Sequence, residues 1–231
     1  MTITFMKKLA TITIAIAALC APVATASIAD AAQPTVKTSS FTAEVWADNW
    51  FALYVNGKKV GQDSVPITTE RSFNSEKITF TATYPLTIGI LGKDFTENAS
   101  GLEYIGTPKQ QIGDGGLIAQ IRDNKTGTII AVTNNSWKAL VINKAPLNPT
   151  CVTSSNPLAD CKVSASSEPK NWSAASFSTN GWSNASTYTP AEVGVKDGYN
   201  EVAWDKSAQL IWGSDLKLDN AILYRKTVTS N

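Results

Sequence analysis

The chain has 231 residues, seven tryptophans, three cysteines, no histidine and a formal net charge of +1. Without imidazole, histidine-dependent triads, proton shuttles and imidazole metal centres are excluded. With so little net charge and its basic residues scattered, the chain has no field to draw in nucleic acid or an anionic membrane surface.

Met6-Lys7-Lys8 is a short positive stretch, followed by an apolar run from Leu9 to Cys20 and by the small residues Ala24-Thr25-Ala26. That is the pattern of a secretory signal, and it predicts a signal peptide over 1–26, too short to span a bilayer. Residues 1–26 hold no acid, so losing Lys7 and Lys8 takes the net charge to −1. A polar segment, 27–40, reads as a flexible leader. The remainder, 41–231, is long enough for one large domain.

From Phe41 the apolar residues alternate. Phe41, Ala43 and Val45 share one face, with Trp46 on the opposite parity. Phe51, Leu53 and Val55 alternate again, Asn56-Gly57 follows, and Lys58-Lys59-Val60 resumes. Asn-Gly between such runs predicts a hairpin with a type I′ turn, because both residues tolerate positive φ. Further strands are predicted over 77–84, 86–91, 117–121, 128–133, 137–142, 208–212 and 221–228. Two long loops, 101–116 and 143–169, interrupt them; only 190–195 has helical character. Many short strands with Gly, Asn and Asp turns predict an all-β sandwich or barrel.

The first cysteine, Cys20, falls in the signal; Cys151 and Cys161 lie in the 143–169 insert. In an exported chain an even pair predicts a disulfide, which would stabilise by about 2–4 kcal/mol through the unfolded state. Metal-binding thiolates are the rival reading, but no further soft ligand lies nearby.

Three stretches, in order, resemble the galactose-binding-domain-like jelly roll of secreted lectin-like modules. The first runs Ala47-Asp48-Asn49-Trp50-Phe51-Ala52-Leu53-Tyr54-Val55-Asn56-Gly57-Lys58. The second is Gly115-Gly116-Leu117-Ile118-Ala119, followed by Thr133 and Ser136-Trp137-Lys138. The third is Trp172-Ser173-Ala174-Ala175-Ser176-Phe177 with Gly181-Trp182-Ser183-Asn184-Ala185. The resemblance implies a jelly-roll β-sandwich; function in such folds resides in the loops. The insert with Cys151 and Cys161 departs from the pattern. A looser resemblance is to secreted copper-binding proteins of methane-oxidising bacteria, which implies copper binding; the histidines those proteins use are missing here.

The chemistry still available is that of carboxylates, amides and aromatic rings. A carboxylate pair could serve glycoside hydrolysis, with Asp94 and Glu103 or Asp215 and Asp219 as candidates, but no spacing places either pair across a cleft. The chain therefore reads as non-catalytic. An exposed indole can stack on the C–H face of a sugar while Asp and Asn bond its hydroxyls. On that ground Trp46, Asp48, Asn49, Trp50, Tyr104 and Trp182 are the predicted ligand-binding residues, and a glycan or cell-surface polysaccharide is the predicted partner. Tyr199 is a further candidate contact, whereas Trp137 and Trp212 belong to apolar strands and to the core. Oxygen-rich loops also suit a structural Ca2+, with Asp114, Asp215 and Asp219 as its predicted ligands; otherwise each Asp caps its own turn. The expected role is a secreted carbohydrate-binding protein, placed in the periplasm, at the cell surface or outside the cell. Metal binding and a structural surface role are the alternatives.

Overall fold

The computed structural model describes residues 38–69, 71 and 73–230. The predicted signal peptide lies outside them, as does the predicted leader up to residue 37. At the leader's end Ser39 and Ser40 already belong to a strand, two residues earlier than the apolar alternation marks.

In chain order the elements are β1 (Ser39–Asp48), β2 (Trp50–Val55), β3 (Lys58–Gln62), β4 (Phe73–Ala82), β5 (Leu86–Lys93), β6 (Leu102–Glu103), β7 (Gln111–Ile112), β8 (Gly116–Asp123), β9 (Ile129–Val132) and β10 (Lys138–Lys144). There follow a 3-10 turn (Pro149–Thr153), α1 (Pro157–Asp160), β11 (Ser164–Ala165), β12 (Ser183–Asn184), β13 (Ser186–Tyr188), α2 (Pro190–Val193), a second 3-10 turn (Tyr199–Glu201), β14 (Leu210–Trp212) and β15 (Asp219–Val228). Among the described residues no helix is long and apolar enough to cross a membrane.

Two antiparallel sheets make a sandwich. One runs β13-β14-β8-β1-β4, with β9 also on β8; the other runs β11-β10-β15-β5-β2-β3, with β12 also on β10. The period of two in the sequence dictates the core between them. Phe41, Ala43, Val45 and Ala47 of β1 point inward, as do Leu117, Ala119 and Ile121 of β8. They meet Phe51, Leu53 and Val55 of β2, Leu86, Ile88 and Ile90 of β5, and Ile222 and Tyr224 of β15. Each large side chain so buried contributes about 1.5–3 kcal/mol. The β2–β3 turn has φ 49° at Asn56 and 82° at Gly57, the positive pair the Asn-Gly dipeptide predicts.

Neither sheet shows its outer face to water along its centre. Outside the second sheet, Ala52, Leu91, Ala221 and Leu223 pack under Trp172 and Trp182 of the 169–185 segment. Arg225 on β15 anchors that segment by donating to the carbonyls of Phe177 (2.6 Å) and Ala174 (2.8 Å). This double coverage explains why β5 and β15 are almost continuously buried rather than alternating. Outside the first sheet, Trp46, Ile118 and Leu210 pack against Val193, with Tyr199 and Trp204 beside them.

Those covers correct two expectations. Trp46 does face away from the core, as its parity predicts, but it is 0 % exposed. The 194–204 segment lies over it, and its indole donates to the Asp197 carbonyl at 2.8 Å. Trp182 is buried against Phe177 and cannot stack on a guest. Period-two reasoning reads the face of a strand but not what a distant loop lays upon it. Trp137 and Trp212 are in the core.

The two long loops carry small elements. β6 and β7 pair within 101–116. The 143–169 insert is closed by the Cys151–Cys161 disulfide, with Cα atoms 5.4 Å apart, and its β11 pairs with β10. Both half-cystines pack with Leu102 of β6, so the insert braces the other loop.

Candidate functional site

Strand ends and loops converge at one end of the sandwich. Asp48 closes β1 and is registered opposite Gly116, the first residue of β8. Lys93 closes β5 and pairs with Trp50 at the start of β2 and with Ala221 near the start of β15. Asp94 therefore emerges beside the start of β15, and its amide donates to the Asn220 carbonyl at 3.0 Å. Glu103 is supplied by β6, Asp114 by the link into β8, and Lys196 and Asp197 by the loop after α2. They surround a cavity of about 350 Å³ lined by Asp48, Arg71, Phe73, Glu103, Tyr104, Gln111, Asp114, Lys196 and Asp197.

One wall is set by α2 and its exit. A capping box between Thr189 and Glu192 starts the helix and Gly194, at φ 66°, ends it. The chain then turns through Gly198 at φ 83°, where a Cβ would stand 2.6 Å from the Ser75 amide nitrogen and 2.7 Å from Asn74 Cα. Only glycine allows that approach, and it presses the loop onto β4. Trp46 beneath, bonded to the Asp197 carbonyl, fixes its height. The result is Lys196, 43 % exposed, with Nζ 3.5 Å from Asp48 Oδ2, 3.8 Å from Asp114 Oδ1 and 4.3 Å from the Phe73 ring centroid. At those distances the ammonium is loosely held and open to exchange with a guest's polar groups.

The opposite wall is β6–β7. Gln111 Nε2 donates to Glu103 Oε2 at 2.9 Å. Tyr104 has φ 54°, a left-handed conformation uncommon for a residue with a side chain, and its carbonyl accepts from the Thr107 amide and hydroxyl at 3.1 and 2.7 Å. Lys109 lies 5.9 Å over its ring. Between Glu103 and the floor stands Gly113. A Cβ there would lie 2.7 Å from Asp94 Oδ2, 3.2 Å from Asp94 Oδ1 and 3.1 Å from Glu103 Oε1. The two carboxylates thus converge on the space a side chain at 113 would fill.

The floor carries three buried carboxyls, Asp48, Asp94 and Glu103. Burial raises the Asp48 carboxyl to about 8; Lys196 opposes this, and the charges of Asp114 and Glu103 add to it. Asp94 is pushed well above the usual carboxylate range, first by burial, then by Asp48, Glu103 and Asp114. The nearby Phe95 amide pulls the other way, but its hydrogen bond goes to Asn49 Oδ1 at 2.6 Å. Among the described residues neither Asp94 oxygen accepts a hydrogen bond, nor does Asp48 Oδ2.

The structure thus brings together Asp48, Tyr104 and Asp114 of the predicted site residues, and also joins Asp94 with Glu103. It places the others elsewhere. Asn49 is buried and ties the β1–β2 link to Phe95 and to the Lys93 carbonyl, so it is a staple rather than a contact. Trp50 is half-buried, packed by the Trp172 cluster with Lys93 Nζ 5.5 Å from its ring centroid. Asp215 and Asp219 form no set with Asp114. Asp215 Oδ1 accepts the Lys217 and Leu218 amides, while Asp219 accepts the Asp215 amide at 3.0 Å and pairs with Lys144 at 2.9 Å. That pair serves its own turn, which overturns the predicted Asp114–Asp215–Asp219 calcium site.

Sequence reasoning misses Arg71, Phe73, Gln111, Lys196 and Asp197. Lys196 is 148 positions from Asp48, and no local motif announces their meeting. Among the described residues no three His, Cys, Asp or Glu side chains make a ready metal-ligand group, and the described cysteines are joined to each other. No known protein family, curated protein or solved structure matches the chain.

Proposed function

We propose that this is an exported, non-catalytic binding protein and that the cavity between the 194–204 loop and β6–β7 takes a carbohydrate. The observation that carries the reading is the cavity itself. Its volume, about 350 Å³, is within the usual range for small-ligand sites, about 300–1,000 Å³. Its lining alternates acceptors (Asp48, Glu103, Asp114), donors (Arg71, Lys196, the Gln111 amide) and the rings of Tyr104 and Phe73. A sugar presents the complementary surface: hydroxyls that both donate and accept, and apolar C–H faces. The signal pattern and the disulfide support export. The jelly-roll reading of the sandwich is part of the same proposal and draws on the three resembling stretches. Copper binding, the alternative from sequence, draws no support from a lining made of oxygen donors, ammonium and guanidinium.

Tyr104 is the proposed stacking platform, in place of the buried tryptophans. Glycan-array screening followed by calorimetry on the best ligand tests the reading. Tyr104→Ala and Asp114→Asn should each weaken binding at least about tenfold, the size of one lost stacking or charged hydrogen-bond contact. Undiminished binding by both variants would remove the site from this cavity, and turnover of the bound glycan would show an enzyme instead.

A further inference from the structure

The geometry points to a calcium site under the cavity floor, anchored by the carboxylates of Asp94 and Glu103 on either side of Gly113. This goes beyond the carbohydrate reading and does not depend on it.

Asp94 is 5 % exposed, and neither of its oxygens has a hydrogen-bond partner. Among the described residues it also forms no ion pair. An ionised carboxylate sealed from water without donors is costly to a fold, and such a group stays protonated unless something supplies positive charge. Lys196 does not, since its ammonium lies over Asp48, Asp114 and the Phe73 ring. Arg225, a buried cation, donates to the carbonyls of Ala174 and Phe177 instead.

The oxygens already point to a shared place. Asp94 Oδ1, Asp94 Oδ2 and Glu103 Oε1 lie 3.2, 2.7 and 3.1 Å from the single point where a Cβ on Gly113 would stand. That point is within bonding distance of Gly113 Cα, so an ion would sit further out, between the two carboxylates. Gln111 holds Glu103 Oε2 and so turns Oε1 toward Asp94. Asp48 Oδ2 is buried and lies 3.5 Å from Lys196 Nζ, and the Asp48 charge acts to raise the Asp94 carboxyl. The donors are all oxygens, which selects a hard cation over copper or zinc. Calcium accepts six to eight oxygens in irregular geometry and draws several from carbonyls and water. Asp94 and Glu103 would supply three of those oxygens and carbonyls and water the rest; among the described residues no three acids already form a ligand group. Magnesium demands near-ideal octahedral geometry and keeps its waters, which a buried, glycine-narrowed space disfavours. The glycine is what leaves the room: any side chain at 113 would stand in the carboxylates' way.

The test uses the purified full chain, stripped with EDTA and dialysed. Thermal unfolding is followed in EDTA, in CaCl2 and in MgCl2, with CaCl2 titrated by calorimetry. Calcium at about a hundredfold over Kd should raise Tm by about 5–10 °C, with one ion bound per chain and a smaller shift from magnesium. Asp94→Asn and Glu103→Gln, each checked for folding in EDTA by circular dichroism, should lose that rise. A wild-type protein with the same Tm in CaCl2 and EDTA and no heat of binding overturns the inference. So does a calcium shift that survives Asp94→Asn, or an equal shift with magnesium. Glycan binding is measured separately, so the two readings fail independently.

Discussion

Asp94 and Asp219 sit at adjoining ends of paired strands, both almost sealed from solvent, yet the fold treats them in opposite ways. Asp219 has a partner on each side: Oδ1 accepts no hydrogen bond but forms an ion pair with Lys144 at 2.9 Å, and Oδ2 accepts the Asp215 amide at 3.0 Å. Among the described residues neither Asp94 oxygen accepts a hydrogen bond, and Asp48 and Glu103 act to raise its carboxyl further. The same residue type, similarly buried on neighbouring strands, is a brace in one place and lacks a hydrogen-bond donor among the described residues in the other. Burial of an acid alone distinguishes nothing; the bookkeeping of its oxygens does.

Isosteric substitution breaks that comparison most sharply. Asp219→Asn should cost about 2–4 kcal/mol in chemical denaturation, because it strips Lys144 of its partner and loosens the 215–219 turn. Asp94→Asn, measured in EDTA, should cost nothing or stabilise, because it removes a buried acid whose charged form has no counterion. Equal losses at the two positions would mean that Asp94 is as well compensated as Asp219. Next in size is Gly113→Ala. Its methyl would meet Asp94 Oδ2 at 2.7 Å, an overpacking expected to cost about 1–3 kcal/mol, and the calcium response should vanish with it.

A third buried acid lies between the two extremes. One Asp63 oxygen accepts from the Val65 amide at 2.8 Å, while the other accepts no hydrogen bond among the described residues. Burial, helped by the charge of Glu76, raises its carboxyl to about 6 against the pull of the Val65 amide and the Asn74 side chain. A carboxyl raised on folding contributes stability that is present below its unfolded value, near 4, and is lost as pH climbs through the folded value. Stability should therefore decline between about pH 4 and pH 6 from this group, and Asp63→Asn should flatten that part of a denaturation series. A slope unchanged in the variant would assign the decline to other groups.

The framework of the sandwich is legible in the sequence because it is local. Alternation marks β1 and β2, short apolar runs bounded by turn residues mark β5, β8 and β10, and Asn56-Gly57 marks its hairpin by backbone chemistry alone. The disulfide follows from cysteine arithmetic. The short strands β6, β7, β11, β12 and β13 are not legible; two or three residues carry no period, and tertiary contact makes them strands. The site is legible only in part. Asp48, Tyr104 and Asp114 stand out as polar or aromatic residues in turns, and Asp94 with Glu103 as a carboxylate pair. Nothing local tells that Gly113 holds that pair apart, or that Lys196 closes the opening. The tryptophans mislead for the same reason. Trp46 is correctly turned out of the core, but the 194–204 loop that buries it comes about 150 residues later.

The smallest expected effect concerns Trp50, half-buried under Lys93 and away from the cavity lining. Trp50→Ala should lower stability modestly and leave ligand affinity as it was. Paired with Tyr104→Ala in one calorimetric titration against the best glycan, it gives the most direct test of where the ligand binds. The cavity account predicts that affinity falls at least about tenfold in Tyr104→Ala and is unchanged in folded Trp50→Ala. The reverse pattern, with binding lost at Trp50 and kept at Tyr104, would contradict it.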